Sequence, residues 1–288
     1  MPKSYILYHG NCYDGFGAAW AAWKCLGDSG EYIPVNYGAP LPELEDQSDV
    51  YIVDFSYPKS VLLDLEKQMK SVIILDHHKT AWEALNNLSL VDAVLQGSEK
   101  LGARFDMNKS GAMLAWEFWH NEAPPDLINY IQDRDLWKFE LSDSQEITGA
   151  LRAYPMDFEV WDSLANPSGI ERLRNEGKII LKFTNQLVDR MCQHVQWREV
   201  GGFVIPVVNA SAFVSEVGNR LCELYPEALF SAYYVDGSDG KRHWGLRSVG
   251  EFDVSKVAQL YGGGGHRNAA GFVEDLANNS KFKLLKVL

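Results

Sequence analysis

The sequence predicts an α/β protein: a mostly parallel sheet with helices on both faces, followed by a smaller C-terminal α/β unit. Three observations carry this. Short apolar runs alternate with helix-period stretches through the first half. Three of those runs stop abruptly at Asp or His. The last third changes to alternating runs paired around a turn. Alternation of strand and helix is the pattern of a parallel sheet covered on its faces.

Taken in order, "SYILYHG" reads as a strand ending at His9, and "GFGAAWAAWKCLG" as a helix whose small residues suit close packing. "DVYIVDFS" is a second strand, ending at Asp54, and "SVLLDLEKQMK" has helical spacing. "SVIILDHHKTA", residues 71–81, is the third strand; its apolar run, Val72 to Leu75, gives way to Asp76-His77-His78. "SGAMLAWEFWHNE" and "DLINYIQDRDLW" read as helices separated by Pro124-Pro125. Residues 159–199 are helix-rich without a Gly/Ser linker and read as a connecting helix. "FVIPVVNA" is strand-like and "SEVGNRLCELYP" helical. "LFSAYYVDGSDGKRHWGLRS" is a hairpin around Ser238-Asp239-Gly240. "DVSKVAQLYGGGGH" is a helix capped by Asp253 that runs into four glycines.

The chain has 288 residues, enough for two cores. With 46% hydrophobic and 23% charged residues it has the composition of a soluble globular protein. No apolar run approaches the roughly 20 residues of a membrane helix, and "MPKSYILYHG" lacks the apolar core of a signal peptide. Cys12, Cys25, Cys192 and Cys222 are widely spaced and form no zinc or redox pattern. A cytoplasmic protein with reduced thiols is expected. The net charge of −12 argues against coating long duplex nucleic acid, which needs a broad basic surface. A small phosphate substrate stays compatible, because a metal cluster or an Arg pocket reverses the field locally.

In a parallel sheet all strand carboxyl ends lie on one edge, where such folds bind ligands. Here that edge receives His9, Asp54, Asp76, His77 and His78. Asp14 opens the first helix, and Asp133, in "YIQDRDLW", comes from a later helix end. Singly, each is a helix cap or a surface charge. Jointly, coincidence at three strand ends points to a metal centre. Carboxylate and imidazole ligands suit Mn²⁺, Fe²⁺ or Zn²⁺ better than Ca²⁺. Two such ions roughly 3.5–4 Å apart can activate a water in phosphoester hydrolysis.

"LDHHKT", with "YHGNCYDGFGAAWAA" before it and "GGGGHRNAAGF" near the C-terminus, resembles the DHH phosphoesterase superfamily, in the branch with the DHH-associated C-terminal domain. That branch includes oligoribonucleases (nanoRNases), dinucleotide phosphodiesterases and single-strand exonucleases. The motifs run from His9 to Gly271, nearly the whole chain. The resemblance implies that His9, Asp14, Asp54, His77 and Asp133 bind metal, with Asp54 bridging two ions. Asp135 competes with Asp133, since "DRD" offers two candidates. His78 would face the scissile phosphate, and Asp76 would support the histidines. Cys12 stands where the family's pattern carries a second aspartate; it either ligates as a thiolate or packs as a small buried residue.

The glycine run has its own physics. Gly263, Gly264 and Gly265 let the backbone approach a phosphate and aim N–H groups at it; a Gly-rich helix end is the plain alternative. His266 can donate to a phosphate or base, and the planar fork of Arg247 suits a terminal phosphate. Arg267 is a neighbour or a surface charge. In the family the equivalents of Arg247 and His266 hold the far end of the substrate. Tyr13, Phe16, Tyr57 and Tyr261 lie near the motifs and either stack on bases or pack in the core.

The expected division is residues 1–158 as the metal-binding catalytic domain, 159–199 as a helical connector and 200–288 as the substrate-binding domain, with the active site in the cleft between the two domains. The expected activity is a metal-dependent phosphodiesterase that cuts short single-stranded RNA or linear dinucleotides to 5′-mononucleotides with a two-metal-activated water. The expected cofactor is a pair of Mn²⁺ ions, Fe²⁺ or Co²⁺ being compatible. A homodimer is allowed; membrane and long duplex partners are not expected. Rival readings are a cyclic-dinucleotide phosphodiesterase, an inorganic pyrophosphatase or polyphosphatase, and a catalytically impaired nucleotide-binding protein. The family's pyrophosphatases lack the glycine-His motif.

Overall fold

The computed structural model describes residues 3–276. The chain divides into two compact units, Met1–Leu181 and Lys182–Leu288. The first is built from β1 (Ser4–His9), α1 (Tyr13–Leu26), β2 (Gly30–Val35), β3 (Asp49–Val53), α2 (Lys59–Gln68), β4 (Ser71–Asp76), α3 (Lys79–Leu85), β5 (Ser89–Leu90), α4 (Val91–Leu95), β6 (Leu101–Phe105), α5 (Gly111–Trp119), α6 (Asp126–Asp135), α7 (Ser144–Leu151), α8 (Phe158–Leu164) and most of α9 (Pro167–Cys192).

Its sheet runs β2-β1-β3-β4-β6-β5, and every pairing is parallel. Side chains alternate between two cores, one on each face. Ile6, Val53, Ile73 and Leu75 pack with residues of α1, α5 and α6. Leu7, Ile52, Val72 and Ile74 pack with Leu62 and Leu65 of α2. Burial on both faces explains why these strands read as near-continuous apolar runs. The four buried alanines of α1, Ala18, Ala19, Ala21 and Ala22, let that helix lie close against its neighbours.

The strand order places the site. From β1 the chain goes outward to β2, then returns to β3 on the other flank of β1. The carboxyl ends of β1 and β3 therefore form the topological switch point, the crevice that open α/β sheets use for ligands. His9 ends β1 and Asp54 directly follows β3.

The sequence reading names three strands in this unit, and the sheet has six. The missed ones lack the signal. β2 is an edge strand and contains Pro34, which a central strand does not tolerate. β5 is two residues long, and β6, "LGARF", is too short to show alternation.

The second unit contains β7 (Gln196–Val200), β8 (Phe203–Asn209), α10 (Val214–Leu224), β9 (Ser231–Asp236), β10 (Lys241–Arg247), α11 (Val254–Gln259), β11 (Gly264–Gly265) and β12 (Ala269–Asp275). Its sheet runs β11-β12-β10-β9-β8-β7. Among the described residues only β8 and β9 of this sheet pair in parallel, with α10 between them in sequence; its other pairs are antiparallel. Ile205, Val207, Phe230, Trp244, Leu246 and Phe272 form its core. The expected hairpin is β9–β10, and Asp253 caps α11 by accepting from the Ser255 N–H.

The stretch read as a connector, 159–199, needs one correction. Its helices are the greater part of α8 and all of α9, but Gln196–Glu199 belong to β7 and pair with β8. α9 itself carries the chain across the division at residue 181. Among the described residues no helix is long and apolar enough to cross a membrane.

Candidate metal centre

β1, β3 and β4 are adjacent, so their carboxyl ends deliver His9, Asp54 and the Asp76-His77-His78 triplet to one place. Asp54 adopts a left-handed backbone with φ of 62°, while its N–H donates to the Leu75 carbonyl at 2.9 Å. A left-handed conformation is uncommon outside glycine and, at a strand end, is a feature of functional sites. α1 starts immediately beyond β1 and carries Asp14. Gly15 permits this, since a Cβ there would meet the His9 carbonyl oxygen at 2.2 Å.

Asp14 is held from another element entirely. Its Oδ2 accepts from the Gly111 N–H at 2.6 Å and its Oδ1 from the Ala112 N–H at 2.9 Å. These are the first N–H groups of α5, whose own N-cap is the Ser110 hydroxyl. A carboxylate is favoured there by both hydrogen bonding and the helix dipole.

His77 Nε2 is ringed by three carboxylates from three elements. Asp54 Oδ1 lies at 3.0 Å, Asp14 Oδ2 at 3.5 Å and Asp135 Oδ2 at 3.6 Å. On its other side, Asp54 Oδ2 faces His9 Nδ1 at 3.4 Å. Asp54 thus spans two ligand groups: Asp14, His77 and Asp135 form one, and His9, Cys12 and Asp54 the other.

Asp76 plays a different part. Its Oδ1 accepts from the backbone N–H groups of His77 and His78 and from His78 Nδ1 at 2.8 Å; its Oδ2 accepts from the Ser56 hydroxyl at 2.6 Å. It therefore fixes the turn and orients the His78 ring.

The electrostatics are those of a site short of positive charge. Burial, then the Asp54 and Asp135 carboxylates, push Asp14 well above the usual carboxylate range. Burial would also raise Asp54, but the His77 hydrogen bond and the His9 imidazole facing its other oxygen more than reverse it and leave Asp54 well below that range. For His77 burial works downward and is outweighed by Asp135, Asp54 and Asp14, which hold the imidazole well above its ordinary value. Buried anions are costly unless paired. A divalent cation offsets this excess, and the donors fit one. Asp54 Oδ2 and His9 Nδ1 are buried, have no hydrogen-bond partner and face each other.

One sequence expectation changes. Asp133 is buried, but its carboxylate accepts from the Glu140 N–H at 2.9 Å and the Leu141 N–H at 3.2 Å, tying down the chain after α6. It belongs to neither ligand group; Asp135, the competitor two residues on, reaches His77 instead. On a helix the two point to different sides, and sequence alone offers no means to choose. Asp135→Asn is expected to weaken metal binding about tenfold or more with little change in melting temperature. Asp133→Asn is expected to cost about 1–3 kcal/mol of stability and to leave metal affinity near wild type. Calorimetric metal titration and thermal melts on the two variants check this.

In the second unit, Arg247 ends β10 directly opposite Ala269 of β12, and the His266 N–H donates to the Ala269 carbonyl at 2.8 Å. Arg247 and the His266 backbone therefore share one sheet end. Arg247 donates to the Ser215 hydroxyl at 2.9 Å and to the Leu246 carbonyl, which fixes its fork. The glycine run is not an open loop. The N–H groups of Gly262 and Gly263 close α11 onto Gln259 and Ala258, and Gly264–Gly265 form β11 against β12. At least these two of its N–H groups are thus committed within the chain. Arg267 pairs with Glu251 at 2.5 Å on the surface.

The aromatics near the motifs are packing residues. Phe16 stacks on Phe158, Tyr13 on Trp161 and Tyr261 on Phe272, while Tyr57 is buried beside Phe55. An exposed aromatic beside the site is Tyr37, which no sequence motif marks. It is 57% exposed, with its ring 4.8 Å from His9 and 5.8 Å from His78. Ser56 and Gly111 were missed too. "KSGAM" shows a helix cap, but nothing in it points to Asp14, 97 residues away.

No family model matches the chain. The uncharacterized protein R106 of Acanthamoeba polyphaga mimivirus is 28% identical over 292 residues, covering 92% of this chain and 66% of that protein. The oligoribonuclease NrnB of Bacillus subtilis (strain 168) is 24% identical over 300 residues, covering 93% and 72%. The chain spans about two thirds of the length of these relatives, 66% of the first and 72% of the second. Among solved structures, RecJ of Thermus thermophilus in complex with Mn²⁺ overlays with a TM-score of 0.49 at 15% identity, covering 96% of this chain and 50% of that one.

Proposed function

We propose that this chain, a member of the DHH phosphoesterase superfamily related to the NrnB oligoribonuclease, is a metal-dependent phosphodiesterase that cleaves short oligonucleotides or linear dinucleotides to 5′-mononucleotides. The observation that carries this reading is Asp54, which spans two ligand groups at the switch point of a parallel sheet. The groups are His9, Cys12 and Asp54, and Asp14, His77 and Asp135. Two divalent ions, at least one of them of the Mn²⁺ class, would supply Lewis acidity for activating water and offsetting charge on phosphoryl oxygens when bound.

The chain's own residues supply the positioning. With Nδ1 engaged by Asp76, donation to a phosphoryl or leaving-group oxygen falls to Nε2 of His78. Burial lowers the His78 imidazole, but the Asp76 carboxylate outweighs it and raises it overall, which favours the protonated, donating form. Asp14 is held by α5, so the ligand set is fixed before substrate arrives. Arg247, His266 and Gly263–Gly265 of the second unit are assigned to holding substrate, within a substrate-binding domain. Three things favour a short substrate bearing bases. The relative NrnB is an oligoribonuclease. The net charge of −12 disfavours long polyanions. Tyr37 offers an exposed face beside the site, and stacking on a base contributes about 1–3 kcal/mol. A cytoplasmic location suits the four cysteines, none of them in a disulfide.

One experiment tests the reading. Purified protein with Mn²⁺ is given RNA of two to about ten nucleotides, matching DNA, cyclic dinucleotides and pyrophosphate. Mononucleotide release, fastest on the shortest RNA, is expected. Tyr37→Ala is expected to raise KM for dinucleotide about tenfold, the equivalent of about 1.4 kcal/mol. Hydrolysis of pyrophosphate alone would overturn the substrate assignment.

A further inference from the structure

The two ligand groups are chemically unequal. Asp14, His77 and Asp135 offer only carboxylate oxygen and imidazole nitrogen, whereas His9, Cys12 and Asp54 include sulfur. In each group the ligand atoms lie within 4.8 Å of one another.

Geometry gives the sulfur a role. Cys12 is the N-cap residue of α1, in an extended conformation with φ −121° and ψ 134°, yet its side chain makes no capping hydrogen bond. It stands at the mouth of the helix that also carries Asp14, on the β1 side of the centre. Asp54 is 1% exposed, and its Oδ2 has no hydrogen-bond partner. Set against it is His9 Nδ1, at 3.4 Å, itself buried without a hydrogen bond. Two unsatisfied lone-pair donors and a thiol within ligand distance of each other are what a cation site needs, and buried polar atoms are rarely left in this state.

We infer that the His9–Cys12–Asp54 position takes a borderline transition ion through a sulfur bond, Zn²⁺, Fe²⁺ or Co²⁺, while the Asp14–His77–Asp135 position takes an ion of the Mn²⁺ class. The active form then holds two different metals. Sulfur favours later first-row ions, and Mn²⁺ is the weakest binder in that series and suits oxygen ligands. This rests on the metal-centre reading above, but on no assumption about substrate.

Cobalt reads the sulfur directly. The metal-free 288-residue protein is titrated with Co²⁺ and followed by absorption. Sulfur ligation gives an intense near-ultraviolet charge-transfer band; oxygen and nitrogen ligands alone give only the weaker visible bands. The expected result is a near-ultraviolet band that saturates with one ion per chain. Cys12→Ser should abolish it and retain visible bands from the other position. Cys25→Ser, at an exposed thiol, should leave it unchanged. Cys12→Asp should bind two ions without the band, and its preference for Zn²⁺ over Mn²⁺ should fall about tenfold or more. A wild-type protein that binds two Co²⁺ ions without the band overturns the sulfur assignment alone, as does a band that survives Cys12→Ser. A protein that binds no Co²⁺ overturns the metal centre as well.

Discussion

Asp54→Asn is expected to lower kcat by about 10³-fold or more, equivalent to about 4 kcal/mol of transition-state stabilisation, with the fold intact. Asp54 is the residue that both ligand groups share, through Oδ1 to His77 and Oδ2 toward His9. Replacing one oxygen by an amide nitrogen removes a lone pair and the charge, and sets a donor against a histidine. Asparagine is the informative substitution because Asp54 has a φ of 62°, a conformation that Asn adopts more readily than any other residue but Gly. Alanine would add backbone strain and confuse the reading. The measurement is steady-state hydrolysis with Mn²⁺ beside calorimetric metal titration and circular dichroism. Loss of activity with a native spectrum and at least one ion lost is the expected outcome. Near-wild-type kcat would sink the two-group centre.

Gly111→Ala is expected to lower kcat by about 10²-fold and to cost roughly 1–3 kcal/mol of stability, far more than an alanine usually costs at the start of a helix. A Cβ at Gly111 would sit 2.5 Å from Asp54 Cβ and 2.7 Å from Asp54 Oδ1. The same residue's N–H holds Asp14 Oδ2 at 2.6 Å. Moving the start of α5 outward to relieve the clash therefore displaces one ligand and releases another. Thermal unfolding and metal affinity measured together distinguish this from simple helix destabilisation, which would move the first and spare the second. Unchanged metal affinity would remove α5 from the account of the site.

Much of the site was legible because it lies where periodicity ends. His9, Asp54 and Asp76-His77-His78 each stop an apolar run, and a parallel sheet collects such ends on one edge. Asp14 was legible as the first acid of the following helix. Asp133 and Asp135 were not separable, because both sit in the last turn of α6 and the choice depends on how that helix is rotated against the sheet. For the glycine run, composition allows both a phosphate-approaching backbone and a Gly-rich helix end; pairing of Gly264–Gly265 with β12 follows from register across the sheet, not from composition. For the aromatics near the motifs, sequence leaves base stacking and core packing both open; the fold packs all four against neighbouring rings, with Phe16 and Tyr57 buried, and leaves Tyr37 exposed.

The sequence by itself determined the class of fold, the edge on which the chemistry sits and most of the candidate ligands, since strand periods, strand ends and residue types are local properties. The tertiary structure decided which carboxylate of α6 faces His77, that α5 holds Asp14, and that Cys12 lies within ligand distance of His9 and Asp54. Those are contacts between elements far apart in the chain, fixed by helix rotation and by the close approach that Gly111 allows, and no local pattern encodes them.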